Sequence, residues 1–234
     1  RMQDQFLSQF VTKQWPRTMS LRQCGKKSNH GLNYAETFKM FALINEIAEA
    51  EAKRIIDLYH HTYPGIHIWY ESIKKLLQKD RTLTNCFGRK VRFLDAWGDS
   101  LFKSAYSMLP QSTVVDSLNT GMVSLYEDIE VSNELRVDLL AQVHDSVLMQ
   151  VPLKLLENPN LLQYLLNKIT DYTSPTISYS GQDFKIATDF KIGMNWGEHH
   201  SEKNPLGMVE LNSINDLSKI KEGWHGKGVE KLAG

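Results

Sequence analysis

The sequence predicts an α+β protein, with a helical N-terminal half followed by antiparallel hairpins, and three patterns carry that prediction. Phe41, Ile44, Ile47, Ala48, Ala52, Ile55 and Ile56 recur at helical spacing, as in a helix that buries one face. Thr82 to Leu94 alternates around Phe87-Gly88, as a hairpin with a glycine turn does. Leu139, Ala141 and Val143, then Val147, Met149 and Val151, repeat with period two on either side of His144-Asp145. That symmetry marks a second hairpin with a two-residue polar tip.

Taken in order, Thr18-Met19-Ser20 offers N-cap residues for a helix over about 20–35. Gly25 and Gly31 within it each weaken the helix by roughly 1 kcal/mol against Ala. Close approach by a ligand or another backbone would explain them, and so would plain packing. The long amphipathic helix around Phe41 to Ile56 should run to about Tyr63, where Pro64-Gly65 breaks it. Another helix follows with Ile68, Ile73, Leu76 and Leu77 inward, then the hairpin over about 82–94. Leu101 to Tyr126 is helical, interrupted or restarted at Pro110. After the second hairpin come a helix from Leu161 to Tyr172 and a closing strand from Phe184 to Trp196. The segment 199–234, with Gly223, Gly226, Gly228 and Gly234, reads as a loosely ordered tail. No internal repeat or low-complexity segment interrupts this order.

With 234 residues the chain forms one large domain or two small ones and can bury a proper core. No apolar run approaches the ~18 residues of a transmembrane helix, and RMQDQFLSQF is not a signal peptide. Cys24 and Cys86 are too few for a disulfide framework, so a reducing interior is expected. The first residue is Arg, which suggests a piece of a longer protein. Zero net charge argues against indiscriminate nucleic-acid binding. The distribution is uneven, however. Lys13, Arg17, Arg22, Lys26 and Lys27 fall between Gln5 and Ala35 without an acid, as do Arg81, Arg89, Lys90 and Arg92 between Arg81 and Leu94. Two such stretches suit a shaped groove for phosphates.

Chemistry concentrates in two segments. Arg22, Lys26, His30 and Tyr34 fall four residues apart in RQCGKKSNHGLNY, so they share one helix face. Guanidinium plus ammonium suits a polyphosphate, because arginine grips oxygens bidentately and lysine adds a compact charge. Asp145, at the tip in QVHDSVLMQVP, is a hard oxygen ligand of the kind Mg²⁺ prefers. A solvated basic face would account for the helix alone. Helix and carboxylate tip together read as nucleotide polymerisation.

These segments resemble motifs B and C of the family A (Pol I-type) DNA polymerases. Arg22, Lys26 and Tyr34 match the Arg-x3-Lys-x7-Tyr-Gly of motif B, and Val143, His144 and Asp145 match the hydrophobic-His-Asp-Glu of motif C. Tyr63-Pro64 before Trp69, the FGRK turn from Phe87 to Lys90, LPQSTVVD around Gln111 and GMNWG from Gly193 to Gly197 occur in matching order. The resemblance, closest to phage-like members, runs from about Thr18 to about Gly197. It implies helical fingers over 1–109, with the O helix at about 20–35, and a distal, antiparallel-sheet palm with motif C over 110–198. It further implies template-directed DNA synthesis from dNTPs on a primer-template, with two Mg²⁺ ions, in the cytoplasm of a bacterial or phage-infected cell and without a membrane partner.

By the same resemblance Arg22 and Lys26 hold the triphosphate, Lys26 donates a proton to pyrophosphate, His30 lies beside the sugar and Tyr34 stacks near the templating position. Asp145 ligates metal, His144 touches the primer terminus, and Gln111 and Arg89 reach the duplex. Two metals need a second carboxylate. In the family it comes from motif A, ahead of motif B, but the one acid ahead of Arg22 is Asp4, in RMQDQF, which lacks the DYSxxELR pattern. The isolated chain should therefore be inactive, its partner being the polymerase segment that carries motif A and the thumb. His30 stands where Phe or Tyr is usual, Ala35 where Gly is usual and Ser146 where Glu is usual.

Blander alternatives remain: His30 as a packed or capping histidine, Gln111 as a helix N-terminal cap, Asp95 and Asp99 as a solvated turn. Trp15, Trp69, Trp97 and Trp196 read better as core or hinge aromatics than as base-stacking platforms. Two other functions also stay open. Single-subunit RNA polymerases share motif B and read His-Asp-Ser in motif C, and a truncated polymerase half could act only as a nucleic-acid-binding subunit.

Overall fold

The computed structural model describes residues 21–224. The cap expected at Thr18-Met19-Ser20, and Asp4, Lys13, Trp15, Arg17, Gly226, Gly228 and Gly234, lie outside them. The chain divides into two compact units between Ser112 and Thr113. The fold is a mixture of helices and small antiparallel hairpins, as the sequence predicts.

In the first unit, α1 (Leu21–Asn33) buries Ser28 and Leu32 and exposes Arg22, Lys26 and His30. The long helix expected to run to Tyr63 is instead two helices, α2 (Phe38–Asn45) and α3 (Glu49–Thr62). Glu46 turns left-handed, φ 54°, and Ile47 donates its N–H back to Ala42. The break folds α3 against α2, so that Phe41 and Ala42 meet Ala52, Ile55 and Tyr59 in one apolar cluster. Apolar periodicity alone does not register such a turn, and two residues of the expected stripe that flank it, Ile44 and Ala48, are exposed. Pro64 does end the preceding helix, and α4 (Gly65–Asp80) begins directly after it.

The inward face of α4 also differs from expectation. Tyr70, Ile73 and Leu77 are buried, while Ile68 is 72% and Leu76 50% exposed. Positions 70, 73 and 77 follow the three-then-four step of one stripe, and residue 68 falls nearly opposite Tyr70. The first hairpin pairs β1 (Thr82–Thr84) with β2 (Lys90–Arg92) in the register Leu83↔Val91. Its turn is organised by Asn85, whose Oδ1 accepts the N–H groups of Phe87 and Arg89, with Gly88 at φ 84°.

The helix expected to stop or restart at Pro110 does neither: α5 runs unbroken over Asp99–Glu127. A proline inside a helix forfeits one hydrogen bond and costs about 3 kcal/mol. Burial on both sides offsets this. Leu101, Ala105, Tyr106 and Leu109 pack in the first unit's aromatic core, and Thr113, Asp116, Ser117 and Leu125 are buried beyond the proline.

In the second unit a single π-helical turn, Glu130–Glu134, follows α5. Asp128 accepts the backbone N–H groups of Glu130 and Val131. Lys168, on α7 (Pro159–Thr173), reaches Asp128 at 2.8 Å and Glu130 at 2.6 Å, and Tyr172 and Tyr164 donate to the same two carboxylates. Lys168 first, then Tyr172, holds the Asp128 carboxyl down at about 2. A depressed carboxyl stabilises the fold above its ordinary pKa of 3.8, and the contribution is lost as pH falls towards 2. Lys168→Met should therefore lower the urea midpoint at neutral pH and flatten its fall between about pH 4 and 2. Parallel midpoint-against-pH curves for variant and wild type would refute this.

The second hairpin joins β3 (Asp138–Val143) to β4 (Ser146–Gln150). Its register ends at Val143↔Ser146, with an irregularity between Leu139 and Ala141. A short helix α6 (Lys154–Glu157) precedes α7, whose start is capped by the Asn158 side chain accepting from Leu161. The closing strand expected over 184–196 is not continuous. β5 (Ile177–Tyr179) pairs with β6 (Gln182–Phe184), and β7 is only Lys191–Ile192, paired with β8 (Val209–Glu210).

GMNWG is a run of bends. Gly193 lies against the Gly207–Met208 backbone, where a Cβ would come within 2.8 Å. Asn195 then pairs with Asn204 through both amide groups and accepts the Gly197 N–H. The tail expected to be loose is folded as far as Trp224. Leu211, Leu217 and Trp224, the last two on α8 (Asp216–Trp224), are buried in one cluster with Leu156 and Leu162. The tail's glycines suggested looseness, but its apolar residues find a partner surface on α6 and α7.

Candidate functional site

Two elements carry the candidate residues, α1 in the first unit and the β3-β4 hairpin in the second. Four-residue steps on α1 leave Arg22, Lys26 and His30 exposed along one face. The opposite face is anchored: Ser28 and Leu32 are buried, and the Tyr59 hydroxyl lies 2.7 Å from Asn29 Oδ1 and 2.9 Å from Asn33 Oδ1. Exposed charge and core-facing packing are thereby divided by helical periodicity alone. His30 is exposed and not packed in a core, and its ring stands edge-on to Tyr34 with centroids 4.9 Å apart. Tyr34, half-buried, lies one residue beyond the helix and packs with Ala35 against the aromatic cluster of Tyr70 and Tyr106.

The end of α1 has a recognisable geometry. Glu36 donates its N–H to Gly31 O at 3.0 Å and Ala35 to Leu32 O at 3.4 Å, with Ala35 left-handed at φ 56°. This is a Schellman ending, where glycine is the usual occupant because a side chain costs roughly 1–2 kcal/mol there. The substitution of Ala for the glycine of the motif therefore falls on a position that is strained for any L-residue. At Gly31 a Cβ would run into the Glu36 carboxylate, so the glycine makes room for that side chain over the last turn. Burial raises the Glu36 carboxyl above its ordinary value, opposed by Lys103 and His30. Glu36 and its place over the last turn are invisible in the four-residue pattern, since the chain has already left the helix.

In the second unit His144 and Asp145 form the hairpin tip, both exposed, with His144 at φ 54°. Ser146 Oγ donates to Val143 O across the turn at 2.8 Å. Where the motif has Glu, this serine closes the turn. Gln142 Nε2 lies 2.9 Å from Asn119 Oδ1 on α5 and 3.5 Å from the His144 carbonyl. Gln142 and Asn119 were not among the expected site residues. The one trace of them is that Gln142 is polar on the outward side of the alternation.

Gln111 is exposed inside continuous α5, so the N-terminal cap reading is wrong: the helix starts twelve positions earlier, at Asp99. Arg89 is exposed in the first hairpin's turn, its backbone held by Asn85. Among the described residues no group of three or more His, Cys, Asp or Glu is placed to hold a metal ion. Asp95 and Asp99 are both exposed, and Asp145 offers a single carboxylate. Trp69 packs half-buried on the Tyr70–Tyr106 core, as expected. Trp97 and Trp196 do not behave as core residues, at 47% and 61% exposed. Trp97 stands edge-on to Phe102, and Trp196 lies in the bends whose form the Asn195–Asn204 pair sets.

An exposed basic helix face in the first unit and an exposed carboxylate at a hairpin tip in the second follow in this order along a mixed fold. The model of DNA polymerase family A matches residues 8–198, and the chain belongs to that family. It is 26% identical over 138 residues to the thermostable DNA polymerase I of Thermus aquaticus, covering 56% of this chain and 16% of that protein. It is 24% identical over 187 residues to that of Thermus filiformis (76% and 21%) and 24% over 188 to DNA polymerase I of Pseudomonas aeruginosa (76% and 19%). The chain thus spans about a fifth of the length of these relatives. The fold matches the POL domain of Pol1 from M. smegmatis, solved with DNA primer-template and dNTP, at TM-score 0.60 and 20% identity, over 74% of this chain and 31% of that one. No described helix is long and apolar enough to cross a membrane.

Proposed function

We propose that the chain supplies the fingers, over 1–109, and the distal palm, over 110–198, of a template-directed DNA polymerase. The exposed alignment of Arg22, Lys26 and His30 on α1, backed by a buried opposite face, is the observation that carries this reading. Arg22 and Lys26 grip the triphosphate of the incoming dNTP, and Lys26 protonates the departing pyrophosphate. His30 lies beside the sugar, and Tyr34 bounds the base. His144 meets the primer terminus, while Gln111 and Arg89 reach the duplex. Asp145 is one of the carboxylates that hold two Mg²⁺ ions, which neutralise the attacking and leaving oxygens when bound. The second carboxylate comes from a polymerase segment carrying motif A. The family match favours DNA over RNA synthesis despite Ser146 after Asp145.

The test is reconstitution. The purified chain should not extend a primer, and addition of a segment carrying motif A and the thumb should confer extension. Extension by the chain alone, or none with the segment, would reject this assignment.

His30 should set how the assembled enzyme treats sugars lacking a 3′-hydroxyl. Its imidazole carries a donor nitrogen that can replace the missing hydroxyl's hydrogen bond to phosphate. Intermediate to good dideoxynucleotide acceptance is expected, falling by about tenfold in His30→Phe as one hydrogen bond to a charged group is lost. The measure is the deoxy-to-dideoxy ratio of kcat/KM, and an unchanged ratio would mean that His30 faces away from the sugar.

A further inference from the structure

We infer that Tyr70 is a positioning residue for the nucleotide-facing helix: its hydroxyl fixes the C-terminal end of α1 and thereby the Tyr34 and His30 side chains. The inference rests on the nucleotide role proposed for α1. Tyr70 is 6% exposed, and its ring stacks on Tyr106 with centroids 4.2 Å apart and planes 24° from parallel. Its hydroxyl donates to Leu32 O at 2.7 Å and accepts the Ala35 N–H at 2.9 Å. Those are the two groups that the helix end pairs with each other only at 3.4 Å. The phenol therefore enters the loosest bond of the Schellman ending and satisfies both partners with near-ideal distances.

The residue it holds is Ala35, left-handed without the freedom of glycine. Without the hydroxyl, Ala35 would gain by returning towards right-handed φ, which would swing Tyr34, the preceding residue. Tyr34 shares the same aromatic cluster and meets the His30 ring edge-on. The place of both side chains is thus set from α4 and α5, whose packing fixes the Tyr70 ring. Burial pushes the Tyr70 hydroxyl up to about 12, against the Ala35 N–H, so it stays a donor across the working range of pH.

The experiment uses Tyr70→Phe, which keeps the stacked ring, with Ala35→Gly, the double variant, and Tyr164→Phe as a control that takes one partner from Glu130 in the second unit instead. In the chain alone, Tyr70→Phe should raise amide exchange at Ala35 about tenfold, the worth of one hydrogen bond, and weaken the His30–Tyr34 ring contact seen by NMR. In the assembled polymerase it should raise KM for dNTP about fivefold with kcat changed less than about twofold. Adding Ala35→Gly should bring KM back to within about twofold of wild type, because glycine holds the ending unaided. Tyr164→Phe should leave KM and the His30–Tyr34 ring contact unmoved. Unchanged exchange and ring contact in Tyr70→Phe, failure of Ala35→Gly to restore KM, or an equal KM rise in Tyr164→Phe would each overturn the inference. If Lys26→Ala leaves nucleotide use intact, the nucleotide role of α1 fails, while the exchange and ring contact still decide whether Tyr70 clamps the helix.

Discussion

Asp145→Ala in the assembled polymerase should reduce primer extension by about a thousandfold or more, because the proposed function makes Asp145 a direct ligand of a two-metal site. The variant should remain folded. Asp145 is exposed at a hairpin tip, where its side chain buries no apolar surface. The turn is held by the Val143↔Ser146 pairing and by the Ser146 hydroxyl on Val143 O, neither of which uses the carboxylate. An unfolding free energy within about 0.5 kcal/mol of wild type is therefore expected for such a surface change. Steady-state extension and a urea melt on one preparation separate loss of chemistry from loss of fold. Activity within about tenfold of wild type would remove the polymerase reading, since no single-carboxylate substitute for a direct ligand is that effective.

Lys26→Ala should lower kcat/KM for dNTP by about a hundredfold to a thousandfold while changing primer-template Kd by less than about threefold. Lys26 lies mid-helix on the exposed face, and alanine is the best helix former, so α1 should persist. What disappears is a compact positive charge that the proposed function aims at a triphosphate, and its worth would grow as negative charge shifts to the leaving pyrophosphate. Arg22→Ala should act in the same direction, weighted towards KM because its fork grips oxygens that are charged before reaction as well as during it. Single-nucleotide incorporation kinetics alongside duplex binding measure both quantities. Equal losses in duplex and nucleotide affinity would show that this face binds DNA backbone instead of triphosphate.

How legible the molecule was in its sequence varies with the range of the forces involved. The α1 face was readable because four-residue spacing and helical pitch are the same fact. The β3-β4 tip was readable because alternation on both sides of two polar residues has one compact solution. Glu46 was not, because a single left-handed residue has no signature in the apolar spacing, which ran on through Ile44 and Ala48 although both are exposed at the turn. Pro110 misled for the opposite reason. Its local cost is real, but buried residues on either side of it in α5 outweigh a bond that proline cannot make. At Gly193 the pattern of GMNWG implied a strand, whereas close approach of the Gly207 backbone and the Asn195–Asn204 pair made bends.

By itself, then, the sequence determined which residues could carry chemistry: Arg22, Lys26, His30 and Tyr34 on one helix, and His144 and Asp145 at one tip. It determined these because they depend on local geometry, pitch and pleat, that the chain imposes on itself within a few residues. Tertiary structure alone decided what holds those residues in place. Tyr70 meets Leu32 and Ala35 across more than thirty residues, Gln142 meets Asn119 across twenty-three, and the tail reaches Leu156 and Leu162 through Leu217 and Trp224. Hydrogen bonds and apolar contacts of that span have no periodicity to reveal them, because each exists only after the elements it joins have packed.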